Sequence, residues 1–325
     1  MSAQINQQDL DSFSTHLKSS QRILALCGAG LSASSGLPTF RGAGGLWRNH
    51  DAVRIATPGA FQADPSLVWH FYSYRRHMAL DVKPNPAHYA LAALAKKKPE
   101  FLTLTQNVDG LSPRAGHDPR QIKYLHGSLF NVKCSSPMCS YKETNNFVDP
   151  IVPALAIPTE DPIDVADALP KPAASQNSPA QGLHGKPKEV DISDARINLD
   201  KIARKDLPQC PACDGLLRPG VVWFGEALEK KVTDAADNFI NSARVDLMIV
   251  IGTSAAVWPA AGYIEEARDH GARVAVINMD PDTGHALTDR DWFFQGDASQ
   301  VVPALFKGEI GELPIAEGQA QRADG

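Results

Sequence analysis

The 325-residue chain predicts an α/β fold, a doubly wound parallel sheet with a smaller domain inserted, and three observations carry that reading. Short apolar runs alternate with helix-like segments, as in sheets covered by helices on both faces. The first run ends in a glycine-rich turn, the usual opening of a nucleotide-binding α/β unit. Four of the five cysteines form two close pairs, Cys134/Cys139 and Cys210/Cys213, with a long proline-bearing stretch between them.

In chain order, Leu10, Phe13 and Leu17 recur at helical spacing and predict a short amphipathic helix docked on the core. Residues 22–27, Arg-Ile-Leu-Ala-Leu-Cys, form a continuous apolar run of the kind seen in a strand buried on both faces. Further strand-like runs at 101–105, 245–251 and 273–277 each lead into polar or glycine-containing segments. Ligands of open parallel sheets bind at such carboxyl ends. Helices are expected over 66–80, 87–97 and 259–270, which completes a Rossmann-like alternation.

This places a discontinuous nucleotide-binding domain at 1–130 and 220–307, a cysteine module at 131–219 and a flexible polar tail at 308–325. Residues 149–206 carry eight prolines between Pro150 and Pro187 inclusive. They are expected to form a long mobile insertion that loops out of the cysteine module without entering the core. No internal repeat is present.

With 43% hydrophobic and 21% charged residues the chain has the material for a packed core, which argues against a disordered chain. Its formal net charge of -5 provides no general field for DNA or an anionic membrane, so direct nucleic-acid binding is not expected. No apolar run reaches the roughly 20 residues that cross a bilayer, so no membrane association is expected. The first seventeen residues lack Arg and Lys and include Asp9 and Asp11, unlike an arginine-rich presequence. Cytoplasm is the expected compartment, with nucleus and mitochondrion open. The oligomeric state is open too, a monomer being compatible with the sequence.

Gly28-Ala29-Gly30-Leu31-Ser32-Ala33 fits the GxGxxA pattern, in which small residues let backbone N–H groups approach a pyrophosphate. The pattern alone fits a ligand-free strand-to-helix turn equally well. A dehydrogenase would also close a second strand with an acidic residue about 20 positions on. Asp51 has that spacing, but nothing before it reads as a strand. The cysteine pairs suggest a metal, with a disulfide or reduced thiols as the alternatives.

The stretch that follows the turn, Ser34-Ser-Gly-Leu-Pro-Thr-Phe40-Arg41-Gly-Ala-Gly-Gly-Leu-Trp47, is more specific. Here the chain resembles the sirtuins, whose GAGxSxxSGxPxFRG signature it matches at every fixed position. The match continues through Thr105-Gln-Asn-Val-Asp-Gly-Leu111, His126-Gly127, the two cysteine pairs, Gly220-Val-Val-Trp-Phe-Gly-Glu226, Gly252-Thr-Ser254 and Asn278.

The resemblance implies an NAD-dependent protein-lysine deacylase that consumes NAD as co-substrate and releases nicotinamide, O-acyl-ADP-ribose and free lysine. His126 would be the general base, suited by the near-neutral pKa of imidazole. Asn107 would join it at the ribose, and Asp109 would hold the nicotinamide carboxamide, with Gln106 in the same cluster. Phe40 would cover the reactive ribose face. Gly28, Ala29, Gly30, Ser32, Arg41 and Trp47 would hold the nucleotide, and Gly252, Thr253, Ser254, Asn278, Met279, Asp280 and Ala298 the adenosine half. Val222, Trp223, Phe224, Gly225 and Glu226 would pair with an extended acyl-lysine protein or peptide. Cys134, Cys139, Cys210 and Cys213 would hold one structural zinc ion.

Tyr72-Ser-Tyr-Arg75 resembles the Tyr-x-x-Arg element of the sirtuin subclass that prefers succinyl, malonyl and glutaryl lysine. Positions i and i+3 share a helix face, so a phenol and a guanidinium fork would reach one carboxylate together. Ala56 matches the small residue by which that subclass admits a longer acyl chain. The rival readings are a mono-ADP-ribosyltransferase, a general deacetylase, a non-catalytic NAD- or ADP-ribose-sensing scaffold and a classical dehydrogenase.

Overall fold

The structure is a computed structural model, and it describes residues 5–39, 46–160, 188–254, 257–284 and 287–313. Phe40, Arg41 and most of the tail expected at 308–325 lie outside the described residues.

α1 (Gln7–Ser19) begins where the Asn6 side chain accepts the Gln8 N–H, and it buries Phe13 and Leu17. Phe13 packs against Trp292, Phe294 and Phe306, so the opening helix is tied to the end of the chain. β1 (Ile23–Cys27) is buried throughout and leads into tight turns over Ala29–Leu31 and Ala33–Ser35. A small hairpin, β2 (Leu46–Trp47) and β3 (His50–Asp51), precedes α2 (Ala52–Ile55) and α3 (Pro58–Ala63). Asp51, with the spacing of a dehydrogenase acid, instead caps α2 by accepting the Val53 N–H at 2.8 Å.

α4 (Pro65–Asp81) starts with Asp64 accepting the Leu67 N–H and Pro65 pre-set for the first turn. α5 (Pro86–Lys97) starts with a capping box between Asn85 and His88. β4 (Phe101–Thr105), α6 (Leu111–Arg114) and β5 (Ile122–Tyr124) follow, then β6 (Gly127–Cys134) and β7 (Lys142–Glu143). β8 (Thr159–Glu160) and β9 (Lys188–Glu189) pair antiparallel. β10 (Leu217–Val221), α7 (Lys230–Ser242), β11 (Leu247–Ile251), α8 (Gly262–Asp269), β12 (Arg273–Asn278), β13 (Trp292–Gln295) and α9 (Ala298–Ile310) complete the chain.

Six strands form one parallel sheet in the order β13-β12-β11-β1-β4-β5. The order reverses at β1, and the crevice at such a switch point is where doubly wound sheets hold ligands. Along β1 the side chains alternate between two cores. Ile23, Ala25 and Cys27 pack with α1, α5 and α9, whereas Leu24 and Leu26 pack with α7 and α8.

The second lobe is built differently from the sequence expectation. β10, β6 and β7 form its sheet, but its core also takes in Trp47, Ile55, Phe61, Trp69, Phe71 and Tyr72. Trp69 Nε1–H donates to Leu217 O at 3.0 Å, joining α4 to β10. By packing, therefore, α2 to α4 belong with the cysteine module, although 1–130 reads as one domain in sequence. Likewise the flanks of the insertion do not loop away. Leu155 and Ile192 are buried, and Arg48 donates to the carbonyls of Ile192, Ala195 and Ile197. The closing helix runs three residues past Lys307, and Leu313 packs against the core.

At the switch point two backbones touch. Gly30 N–H donates to Gly252 O at 2.8 Å, and Gly252 has φ +58°. A Cβ at Gly252 would stand 2.5 Å from Gly30 C and Leu31 N, whereas one at Gly59 meets nothing within 4 Å. Gly252→Ala should lower stability by about 2–4 kcal/mol from strain and overpacking, and Gly59→Ala should leave it equal or slightly raised. Thermal or urea melts of both variants check this; an unchanged midpoint for Gly252→Ala would refute the contact.

Candidate active site and cysteine cluster

The carboxyl ends of β1, β4, β11 and β12 and the second lobe enclose a cleft of about 430 Å³. Its sheet side is lined by Gly28, Ala29, Gly30, Ser32, Gln106, Asn107, Asp109, Gly252, Thr253, Ser254, Asn278, Met279, Asp280 and Ala298. Its other side is lined by Ala56, Tyr72, Arg75, His126 and Val222 to Glu226. Residues far apart in sequence thus meet because the sheet presents all its loops at one edge. Trp47 is the exception: it is buried in the second lobe against Phe71, ring centroids 5.5 Å apart, and does not line the cleft. Its expected contact with the nucleotide is a misassignment, because the β2–β3 hairpin turns the indole into the core. Phe40 and Arg41 are outside the described residues.

His126 sits between β5 and β6 with Nδ1 3.1 Å from Gln106 O. A carbonyl only accepts, so Nδ1 carries the hydrogen and Nε2 keeps the basic lone pair. Burial lowers the ring's pKa below 6.5, opposed in part by the bond to Gln106. The histidine is therefore neutral at physiological pH and able to take a proton.

A buried polar relay stands beside it. Asn85 N–H donates to His88 Nδ1 at 3.3 Å, so His88 Nε2–H donates to Ser32 Oγ at 3.3 Å. Ser32 O–H then donates to Asp109 Oδ2 at 2.7 Å, while Asp109 Oδ1 accepts the Leu111 N–H at 2.9 Å. Asn107 Nδ2 donates to Gly28 O at 2.9 Å and to Ser32 Oγ at 3.2 Å. Burial drives His88 down to about 4, with Asp109 opposing, which keeps it a neutral donor. The sequence reading missed His88; its legible signal was the Asn85-Pro-Ala-His88 cap.

At the ends of β4, β11 and β12, Gln106 Nε2–H donates to Thr253 Oγ1 at 3.0 Å and Asn278 Nδ2–H to Thr253 O at 2.9 Å. Asp297, also missed, lines the cleft, caps α9 and accepts the Ser34 hydroxyl.

In the second lobe, Tyr72 and Arg75 project from the same face of α4 into the cleft. Burial pushes the Tyr72 hydroxyl pKa upward, partly offset by Arg75, so it stays a protonated donor. Arg75 is half-buried, its guanidinium carbon 5.5 Å from the Phe71 centroid. Its neighbour Arg76 turns inward, and its fork is held by backbone carbonyls, with Nη1 on Leu129 O at 2.5 Å and Nη2 on Asn146 O and Val148 O at 2.9 Å. Val222 N–H donates to His126 O and Phe224 N–H to Ala56 O, both at 2.9 Å, fixing the 222–226 segment between His126 and the end of α2. Glu226 departs from a simple peptide contact: its carboxylate is occupied by Arg218 and by the Trp223 N–H.

The sulfurs of Cys134, Cys139, Cys210 and Cys213 lie within 4.8 Å of one another, with pairs at 3.5 and 3.8 Å. Tetrahedral thiolates on zinc, at about 2.3 Å from the metal, are about 3.8 Å apart. These distances fit one closed four-thiolate zinc site and exclude a disulfide, and all four cysteines are free. Ser136 N–H points at Cys134 Sγ, 3.4 Å away, as thiolate sulfurs require.

Fold and cleft together define a two-lobed, Rossmann-like α/β protein with a zinc-type cysteine lobe. The chain belongs to the Sir2 family, whose model matches residues 28–259. It is 45% identical over 313 residues to the NAD-dependent protein deacylase of Candida albicans, covering 94% of this chain and 99% of that one. It is 38% identical over 312 residues to the mitochondrial NAD-dependent protein deacylase sirtuin-5 of Xenopus tropicalis, covering 94% and 87%. The crystal structure of a Sir2 homologue in complex with NAD superposes with a TM-score of 0.66 at 32% identity, covering 94% of each chain.

Purified protein should carry one zinc per chain by elemental analysis, and Cys139→Ser should lose it together with several degrees of melting temperature, since structural zinc binding is coupled to folding. Full metal content and an unchanged melt in that variant would contradict the site.

Proposed function

We propose that this chain removes acyl groups from protein lysines with NAD as co-substrate, preferring succinyl, malonyl and glutaryl to acetyl. The observation that carries it is that Tyr72 and Arg75 line the cleft that also holds His126, Asn107 and Asp109. The donor set fits NAD: the glycine turn, Ser254 and Asn278 to Asp280 stand at one end, and the amide of Asn107 and the carboxylate of Asp109 at the other.

NAD, when bound, supplies an electrophilic ribose carbon from which nicotinamide departs and to which the acyl oxygen adds. Asp109, held by Ser32, offers an acceptor to the carboxamide, and Asn107 is oriented by Gly28 O toward the ribose. His126, neutral and held by Gln106 O, takes a proton from a ribose hydroxyl through Nε2. Tyr72 donates a hydrogen bond and Arg75 a positive charge to a carboxylate at the end of the acyl chain, and Ala56 leaves room for that chain. The 222–226 segment holds the peptide, and Ala56, Trp223 and Leu129, buried in one core, give the acyl-lysine side of the cleft an apolar lining.

A mass-spectrometric assay with acetyl-, succinyl-, malonyl- and glutaryl-lysine peptides tests the reading. The acidic acyl groups should leave fastest, with one nicotinamide per deacylated lysine; ADP-ribosylated protein without deacylated peptide would overturn it. Removing one partner of a desolvated charge pair costs roughly 2–5 kcal/mol, so Arg75→Met should cut desuccinylation by about 30-fold or more while largely sparing deacetylation. Equal losses would sink the acyl assignment.

The pH profile follows from the base. Protonation inactivates His126, and because its pKa is lowered, activity should survive below the pH where an exposed histidine would titrate. The acid limb of kcat/KM should fall below pH 6.5, and a limb centred above 7 would contradict the role.

A further inference from the structure

Arg218 has none of the roles assigned above, yet with Arg76 it is one of two arginines buried among the described residues. It stands in β10, just before the 222–226 segment. Its fork grips both oxygens of Glu226, Nη1 donating to Oε1 at 2.6 Å and Nη2 to Oε2 at 2.8 Å. Nη2 also donates to Val221 O at 3.1 Å. The guanidinium carbon lies 3.4 Å from the centroid of the Trp223 ring, a cation–π contact that strengthens as water is excluded. The same ring meets Phe61 and Tyr72, with centroids at 5.4 and 6.3 Å.

Glu226 closes the turn from its other end. Its Oε2 accepts the Trp223 N–H and its own N–H donates to Trp223 O, both at 2.9 Å. Burial works to raise its pKa, but Arg218 and the Trp223 N–H outweigh burial and hold it below the usual carboxylate range. Glu226 is thus a negative charge in the lining of the cleft; Arg218 is the cation hydrogen-bonded to it, and Lys133 adds a weaker attraction from β6.

We infer that Arg218 is a positioning residue for the acyl-lysine side of the cleft. Its fork sets the turn from Trp223 to Glu226, its face fixes Trp223 against Tyr72, and its charge cancels that of Glu226. Without it, a bare carboxylate would face an incoming acidic acyl group, and like charges across a half-dry cleft repel. The last point rests on the acidic-acyl reading; the first two do not.

The test uses full-length wild type, Arg218→Met, Arg218→Lys, Glu226→Gln and the Arg218→Met/Glu226→Gln double variant, with succinyl and acetyl peptides and a thermal melt of each. Arg218→Met should raise KM for both peptides by about tenfold, leave KM for NAD within about twofold, and lower the succinyl-to-acetyl ratio by a further tenfold or so, as loss of one partner of a buried pair does. The double variant should restore that ratio but not the shared KM. Arg218→Lys should keep the ratio and raise both peptide KM values, and Glu226→Gln should keep or increase it. Equal rises in peptide and NAD KM, or a double variant no better than Arg218→Met, would overturn the inference. A wild type that shows no succinyl preference would instead remove the Arg75 reading, and the split between peptide and NAD KM would still decide the positioning role.

Discussion

The contact between Gly30 and Gly252 is the constraint on which the cleft depends. It forces the loops after β1 and β11 to within hydrogen-bonding distance at the point where the strand order reverses. With that junction closed, the turn after β1 has one path, and Ser32 comes to rest against Asp109 and Asn107 from the loop after β4. A side chain at either glycine would separate the two loops and with them the two halves of the polar relay. The glycines therefore do more than admit a pyrophosphate; they hold the floor of the site together.

Around this floor the labour divides between lobes. The polar relay, Thr253, Asn278 and His126 stand on or beside the parallel sheet, whose inner strands β1, β4 and β11 are buried throughout. Tyr72, Arg75, Ala56 and Trp223 belong to a second core that also contains the cysteine sheet. Under the proposed acyl preference, changes in that core would alter which acyl group enters while leaving the sheet in place. The same packing explains why a zinc site remote from the chemistry matters: the cysteine strands are one wall of the core that seats α4.

Much of this was legible in sequence, and the reasons for the misses are physical. β1, β4, β11 and β12 are largely apolar runs because both faces are buried, so short unbroken runs ahead of polar or glycine-containing segments reveal them. β5 and β13 escape notice because an edge strand of three or four residues leaves no pattern. The motif residues could be placed on the cleft because a parallel sheet delivers its carboxyl ends to one edge. Trp47 could not, since adjacency to the cofactor signature says nothing about which way an indole turns in a two-residue strand. Residues 161–187 of the insertion lie outside the described residues; its flanks were misread because proline content signals irregular backbone, whereas Leu155, Ile192 and the carbonyls taken by Arg48 show irregular backbone that is nonetheless packed.

His126 joins the two lobes, and that accounts for its setting. Its ring leans on Gln106 O from the sheet side, while its own carbonyl receives the Val222 N–H from the 222–226 segment. A shift of the 222–226 segment therefore pulls on the backbone that carries the base, and a shift of the β4 loop changes the carbonyl that sets its tautomer. In the proposed reaction, acyl recognition and proton transfer would be linked through this one residue. The sheet orients the ring, and the second lobe determines what the ring finds in front of it.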